Sequence, residues 1–282
     1  MKGFAKVMGA ATILNAVATW KGCAFGIELS TTAEVELDRS SRIKGNIPGI
    51  DDRLIVRCVE MVLGEFGLSY GGIVSTSSEI PVASGLKSSS TAANAAVLAT
   101  LDAIGEEMNL MDAAKVGIAA ARDVGVTITG ALDDALSSML GGVVITDNRE
   151  MKLLKREQLD SDVLLLVPER KLFSRDTDIR RSKIIAPLAE VAFDLAMQGD
   201  YGRAMTLNGF IYCSALKLAS EPLISALEAG AWGASLSGTG PSYAAIIDRQ
   251  NIASLESAWR DMGGRVIKTK VNNRPASIGR GI

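Results

Sequence analysis

Apolar and polar positions change rhythm repeatedly along the chain, and the changes predict a protein of mixed helix and strand. Residues 23–37 and 73–77 alternate or carry β-favouring side chains and predict strands. Between them, 51–66 predicts a helix that opens at Asp51-Asp52 and stops near Gly64 and Gly67. Three more helices follow. Residues 88–104 are rich in Ala and Leu, open on Ser and Thr, and end at Gly105. Residues 110–124 read the same way, and a short helix over 131–140 is closed by Gly141-Gly142 before a returning strand at 143–146. The charged stretch 147–162 predicts a loop. Beyond it lie an apolar strand at 163–167 ending at Pro168, helices at 184–198, 201–219 and 222–229, and strands at 234–237 and 242–247. A helix at 252–262 and a strand at 265–270 complete the chain. This order predicts an α+β sandwich in the second half, and two domains, 1–153 and 154–282.

Composition narrows the chemistry. The 282 residues are 48% hydrophobic and 22% charged, enough for a packed core, and the formal net charge of −2 gives no basic field for nucleic acid. Lys2 and Lys6 precede an apolar stretch, and Ala16-Val17-Ala18 mimics a leader-cleavage site, but Gly9, Thr12 and Asn15 interrupt it. With no uninterrupted run of about 18 apolar residues, a membrane span is not expected. Cys23, Cys58 and Cys213 are odd in number and far apart, which fits reduced core thiols in a cytoplasmic protein. The chain has no histidine. That excludes Ser-His-Asp and Cys-His pairs, His metal sites and His proton shuttles, so acid–base work falls to Asp, Glu, Lys or Tyr.

The most informative segment runs Pro81, Val82, Ala83, Ser84, Gly85, Leu86, Lys87, Ser88, Ser89, Ser90, Thr91, where a loop feeds the longest predicted helix of the first half. A helix N-terminus carries unpaired N–H groups and about half a positive charge, and so suits an anion. Gly85 would allow close backbone approach to a phosphate, Lys87 would add charge, and the hydroxyls of Ser88 and Ser89 would ligate phosphate or Mg²⁺. Simple capping of a buried helix is the competing reading. A Walker A loop is excluded because no Gly-Lys dipeptide occurs, and Gly238-Thr239-Gly240 lacks the third glycine of a dinucleotide fingerprint.

These residues resemble the GHMP small-molecule kinases, whose phosphate loop reads Pro-x-x-x-Gly-Leu-x-Ser-Ser-[Ala/Ser] and is matched at every fixed position by Pro81 to Ser90. Ser237-Gly238-Thr239-Gly240-Pro241-Ser242 looks like the family's C-terminal glycine motif, and Ala5-Lys6-Val7 followed by a Gly/Ala-rich turn echoes its N-terminal one. Within the superfamily, 9–16, 22–27 and Asn208-Gly209-Phe210-Ile211-Tyr212 look like the archaeal-type shikimate kinases. The resemblance implies an α+β GHMP kinase fold, with an N-terminal domain like ribosomal protein S5 domain 2 and a ferredoxin-like C-terminal domain. It implies ATP, Mg²⁺ and shikimate as ligands, with another GHMP kinase for homoserine or a mevalonate-like alcohol, or a binding protein without turnover, as alternatives. It also implies roles for particular residues. Thr129 to Ala135 resembles the family's Gly-x-x-Asp-Asn-Ala segment and places its aspartate on Asp133, with Asp134 where Asn is usual. Two carboxylates at a helix start also suit the helix dipole without any catalysis. Lys6 matches the lysine that steadies the reacting hydroxyl or the aspartate, Ser89 and Asp123 are the metal candidates, and Gly238, Thr239 and Gly240 join the phosphate site. Asn15, Asp134 and Arg175 are the substrate-side candidates, Arg175 because a substrate carboxylate calls for a bidentate cation.

Overall fold

A computed structural model describes residues 1–47, 49, 51–82, 84–127, 130–169 and 179–279. The chain opens with two long strands, β1 (Lys2–Leu14) and β2 (Lys21–Asp38), then β3 (Ile43–Asn46), α1 (Arg53–Glu65) and β4 (Gly71–Ser78). Next come α2 (Ser88–Ile104), α3 (Leu110–Asp123), α4 (Leu132–Leu140), β5 (Val143–Asp147) and β6 (Lys152–Glu157). These strands form one sheet in the order β1-β2-β4-β3, with β5 on β2 and β6 on β5. β2 is long enough to serve two partners along one edge: residues 31–38 pair with β4 and 21–25 with β5. Helices α1 to α4 cover this sheet around a core that includes Val7, Val35, Val59, Leu98 and Leu136.

The second half contributes β7 (Asp162–Val167), α5 (Ala186–Met197), α6 (Tyr201–Leu216), α7 (Glu221–Glu228), β8 (Ala231–Leu236), β9 (Tyr243–Ile247), α8 (Ile252–Asp261) and β10 (Arg265–Lys270). Its antiparallel sheet has the order β10-β7-β9-β8. That is the ferredoxin-like arrangement the family resemblance implies, and it is the α+β sandwich expected from the order of elements. A last short strand, β11 (Ser277–Ile278), returns to pair with β1. A second core joins Ile13, Phe25 and Ile145 of the first sheet to Leu165, Tyr212 and Ile246 of the second half, so apolar packing is continuous across the two sheets.

Several segments differ from the sequence reading, among them the unexpected short strands β3 and β11. Residues 2–14 form a strand throughout, with register shifts at Met8/Gly9 and Thr12/Leu14, so no turn follows Val7 and the apolar stretch is sheet interior. The expected loop contains β6, whose alternating exposure is that of a charged strand at a sheet edge. The division at 153/154 lies inside β6, and the chain passes between sheets at 158–161. Among the described residues, no helix is long and apolar enough to cross a membrane.

Candidate active site

Two helix N-termini converge on one cavity of about 600 Å³. The first belongs to α2. Its N-cap is Lys87, held in the left-handed region at φ 67°, and no side chain caps the helix. The capping reading of the serines therefore fails. Among the described residues, the hydroxyls of Ser88, Ser89 and Ser90 have no protein hydrogen-bond partner, and all three residues line the cavity, whereas Thr91 is buried and donates back to Lys87 O at 2.7 Å. The first-turn amides of α2 are thus left for a ligand.

The second is α4, entered through Ala131 at φ 48°, with Asp133 and Asp134 in its first turn. Both aspartates are buried, at 3% and 7% exposure, and both line the cavity. Asn148 Nδ2 donates to Asp133 Oδ1 at 2.9 Å, its own Oδ1 accepts from Thr146 Oγ1 at 2.6 Å, and its N–H donates to Trp20 O at 2.8 Å. Gly22 closes the other side, where a Cβ would stand 2.5 Å from Asp133 Cγ. Burial and then the Asp134 charge push the Asp133 carboxyl well above the ordinary carboxylate range, against Lys87 and the Asn148 hydrogen bond. Lys87 Nζ lies 3.0 Å from Asp134 Oδ1. Asn94, in the middle of α2, locks the two helices together by donating to Ala135 O at 3.0 Å and Ser138 Oγ at 2.7 Å.

The glycine motif of the second half completes the wall through Gly238 and Thr239, while Gly240 lies behind them, buried. Gly238 N–H donates to Thr12 Oγ1 at 2.9 Å and Gly238 O accepts from Asn15 Nδ2 at 2.8 Å. Asn15 N–H donates to Asn208 Oδ1 at 3.0 Å, and Tyr212 OH donates to Asn15 O at 3.0 Å. Asn15 therefore lines the cavity with its side chain already committed to holding the loop. Gly85 plays a part different from the one expected. A Cβ there would meet Ser237 O at 2.3 Å and Gly240 O at 2.9 Å, so its missing side chain admits the glycine motif of the second half rather than a phosphate. Ser237 Oγ then donates to Gly85 O at 2.9 Å, and Ser242 N–H to Ser84 O at 3.1 Å.

Of the loop residues, Val82, Gly85 and Lys87 to Ser90 line the cavity; Ser84 and Leu86 are buried as supports, and Pro81 accepts the Ser84 hydroxyl. Ala83 and Arg175 lie outside the described residues. The structure does not bring Lys6 to the cavity. β1 continues past it to Leu14, and the β1 position facing the site is Thr12; the Lys6 charge instead reaches Glu79, an acceptor of Ser30 N–H and Oγ. Asp123 is also elsewhere, its Oδ2 accepting Arg57 Nε at 2.6 Å. Sequence reasoning missed Gly22, Asn94 and Asn148. The lone Asn in an Ala-rich helix was a signal for Asn94, and Asp-Asn after β5 reads only as a turn.

An uncapped helix end facing a buried, pinned carboxylate suits phosphoryl transfer, and the comparisons with known proteins place the chain in a kinase family. The family model described as GHMP kinases N terminal domain matches residues 53–142, and the one described as GHMP kinases C terminal matches 196–265. The chain belongs to the GHMP kinases, which use ATP. It is 58% identical over 279 residues to the shikimate kinase of Methanothrix thermoacetophila, covering 99% of this chain and 97% of that protein. It is likewise 58% identical over 282 residues to the shikimate kinase of Methanosarcina mazei, covering 98% and 96%. The fold is shared with the mevalonate kinase of Methanococcus jannaschii, at TM-score 0.78 and 15% identity over 95% of this chain and 98% of that one.

Proposed function

We propose that this protein transfers the γ-phosphoryl group of ATP to the 3-hydroxyl of shikimate, giving shikimate 3-phosphate and ADP on the route to aromatic amino acids. The observation that carries the chemistry is the uncapped N-terminus of α2 opening onto the same cavity as Asp133. The substrate is supported by the identity to the two archaeal shikimate kinases over nearly the whole chain.

In this reading the α2 amides and Lys87 hold the β- and γ-phosphates, and Asp133 orients the attacking hydroxyl and accepts its proton. The raised basicity of Asp133, pushed up to about 7 by burial and the Asp134 charge, suits that task, because a base of raised pKa is the better proton acceptor and a fraction near one half remains ionised at neutrality. Phosphoryl transfer passes through a loose transition state, so positioning and charge neutralisation supply most of the rate. Asn148 fixes one carboxylate oxygen of Asp133 and leaves the other for substrate. A divalent cation fits the same wall, since the serine hydroxyls are uncommitted oxygen donors; Ser89 would hold it, and when bound it neutralises phosphate charge. Thr12, Asn15 and Gly238 keep the far wall rigid.

Incubation with ATP and Mg²⁺ and a panel of shikimate, homoserine and mevalonate tests the assignment by ADP release. Release dependent on shikimate alone is expected, and release driven by another alcohol, or by none, ends it. Gly22→Ala tests the geometry. The added methyl displaces a carboxylate at the end of a side chain rather than backbone, so the fold persists while kcat falls roughly 10²-fold, the cost of about 1 Å of misplacement. An alanine variant with wild-type kcat would remove the Gly22 wall from the mechanism.

A further inference from the structure

Asp123, the acid that the sequence resemblance offers to a metal, is occupied. It is ion-paired to Arg57, half exposed at the C-terminal end of α3, and does not line the cavity. The cavity nevertheless contains an acid with no part in the transfer step described above. Asp134 is 93% buried by its 7% exposure, and its Oδ1 lies within 3.0 Å of Lys87 Nζ yet makes no aligned hydrogen bond. The contact is an ion pair alone, and the oxygen keeps its lone pairs uncommitted.

Charge balance sharpens the point. Apart from Arg53 and Asp51, which also line the cavity and pair with each other, Asp133 and Asp134 set two carboxylates against the ammonium of Lys87, and a nucleotide tail brings several further negative charges into the same space. Lys87 is also the loop cation placed at the α2 end, its Nζ only 2.9 Å from where a Cβ on Gly238 would stand. One ammonium cannot neutralise both the carboxylates and the phosphates. Mg²⁺ is held in such sites by one or two carboxylates together with substrate phosphates, rather than by an all-protein cage. Three uncommitted serine hydroxyls stand on the same cavity wall.

We propose that Asp134 is the carboxylate ligand of the nucleotide-bound divalent cation, and that Lys87 passes from Asp134 to the phosphates as the metal–nucleotide complex enters. In the nucleotide-free protein the Lys87 ammonium stands in for the cation. The inference rests on the nucleotide reading of the α2 end.

Isothermal titration of ADP with and without Mg²⁺ tests it, using the whole protein, Asp134→Asn, Asp123→Asn and Lys87→Gln, each first checked for a cooperative melt. Wild type should bind ADP more tightly with Mg²⁺. Asp134→Asn should bind Mg²⁺-free ADP at least as tightly as wild type, because Lys87 is released, and should lose at least tenfold of the Mg²⁺-dependent gain. Asp123→Asn should keep that gain. Lys87→Gln should weaken Mg²⁺-free ADP and retain the gain, which keeps the inference testable if Asp134→Asn does not fold. A full Mg²⁺ gain in Asp134→Asn, or its loss in Asp123→Asn, overturns the assignment. Wild type with no ADP binding would instead sink the nucleotide reading itself.

Discussion

Asp133→Asn lowers kcat by about 10²–10⁴-fold and leaves ATP binding in place, the range expected for one positioned acid–base group. Asn fills the same volume and still accepts the Asn148 hydrogen bond, so the wall between Gly22 and Asn148 is undisturbed. What it lacks is the charge that orients and deprotonates the hydroxyl. The same substitution raises the melting temperature of the nucleotide-free protein, since a carboxylate buried against Asp134 is ionised at a cost. The sign follows from the direction of the shift. A carboxyl whose folded pKa lies above its unfolded one favours the fold below the unfolded value, and that favour is lost as pH rises through the folded one. The variant's thermal advantage is therefore absent at acid pH and complete above neutrality. Turnover at the wild-type rate, measured by steady-state kinetics, would dismiss Asp133 from the reaction, whereas a falling melting temperature would contradict only the charge argument.

Gly85→Ala is expected to damage both the fold and the site. Gly85 has φ +82°, costly for any L side chain, and the new Cβ would lie 2.3 Å from Ser237 O. The obstacle is main chain, which has no rotamer to yield. Loss of about 2–4 kcal/mol of stability in urea melts is expected from strain plus forced separation of the two loops. ADP affinity should fall at least tenfold alongside it, because the same separation shifts Lys87 and Gly238. Native stability together with native ADP affinity would refute the role of this contact.

The sequence made the serine-rich loop and its helix legible because serine, glycine and alanine there have few other reasons to stand together. The α+β layout of the second half was legible from its order of elements, since most of its strands are short, apolar and punctuated by Gly, Pro or Asp. β1 was not. Its second half is buried without alternation, and Lys2 and Lys6 gave it the look of a leader. β6 was hidden because an edge strand of Lys, Arg and Glu carries little apolar signal. Lys6 was misplaced for a related reason: a three-residue match on a strand does not say where the strand ends. Gly22 and Asn148 lie 111 and 15 residues from Asp133 in sequence and meet it only through the pairing of β2 with β5. No one-dimensional pattern encodes that meeting.

The stitching of Asn15, Thr12 and Ser84 to Asn208, Gly238 and Ser242 has a consequence for how the protein handles its ligands. That seam runs beside a core common to both sheets, so the wall of the cavity built by Thr12, Asn15 and Gly238 is tied to the strands of the first half. Its shape is laid down as the chain folds, before any ligand arrives. Binding energy need not be spent on assembling that part of the site.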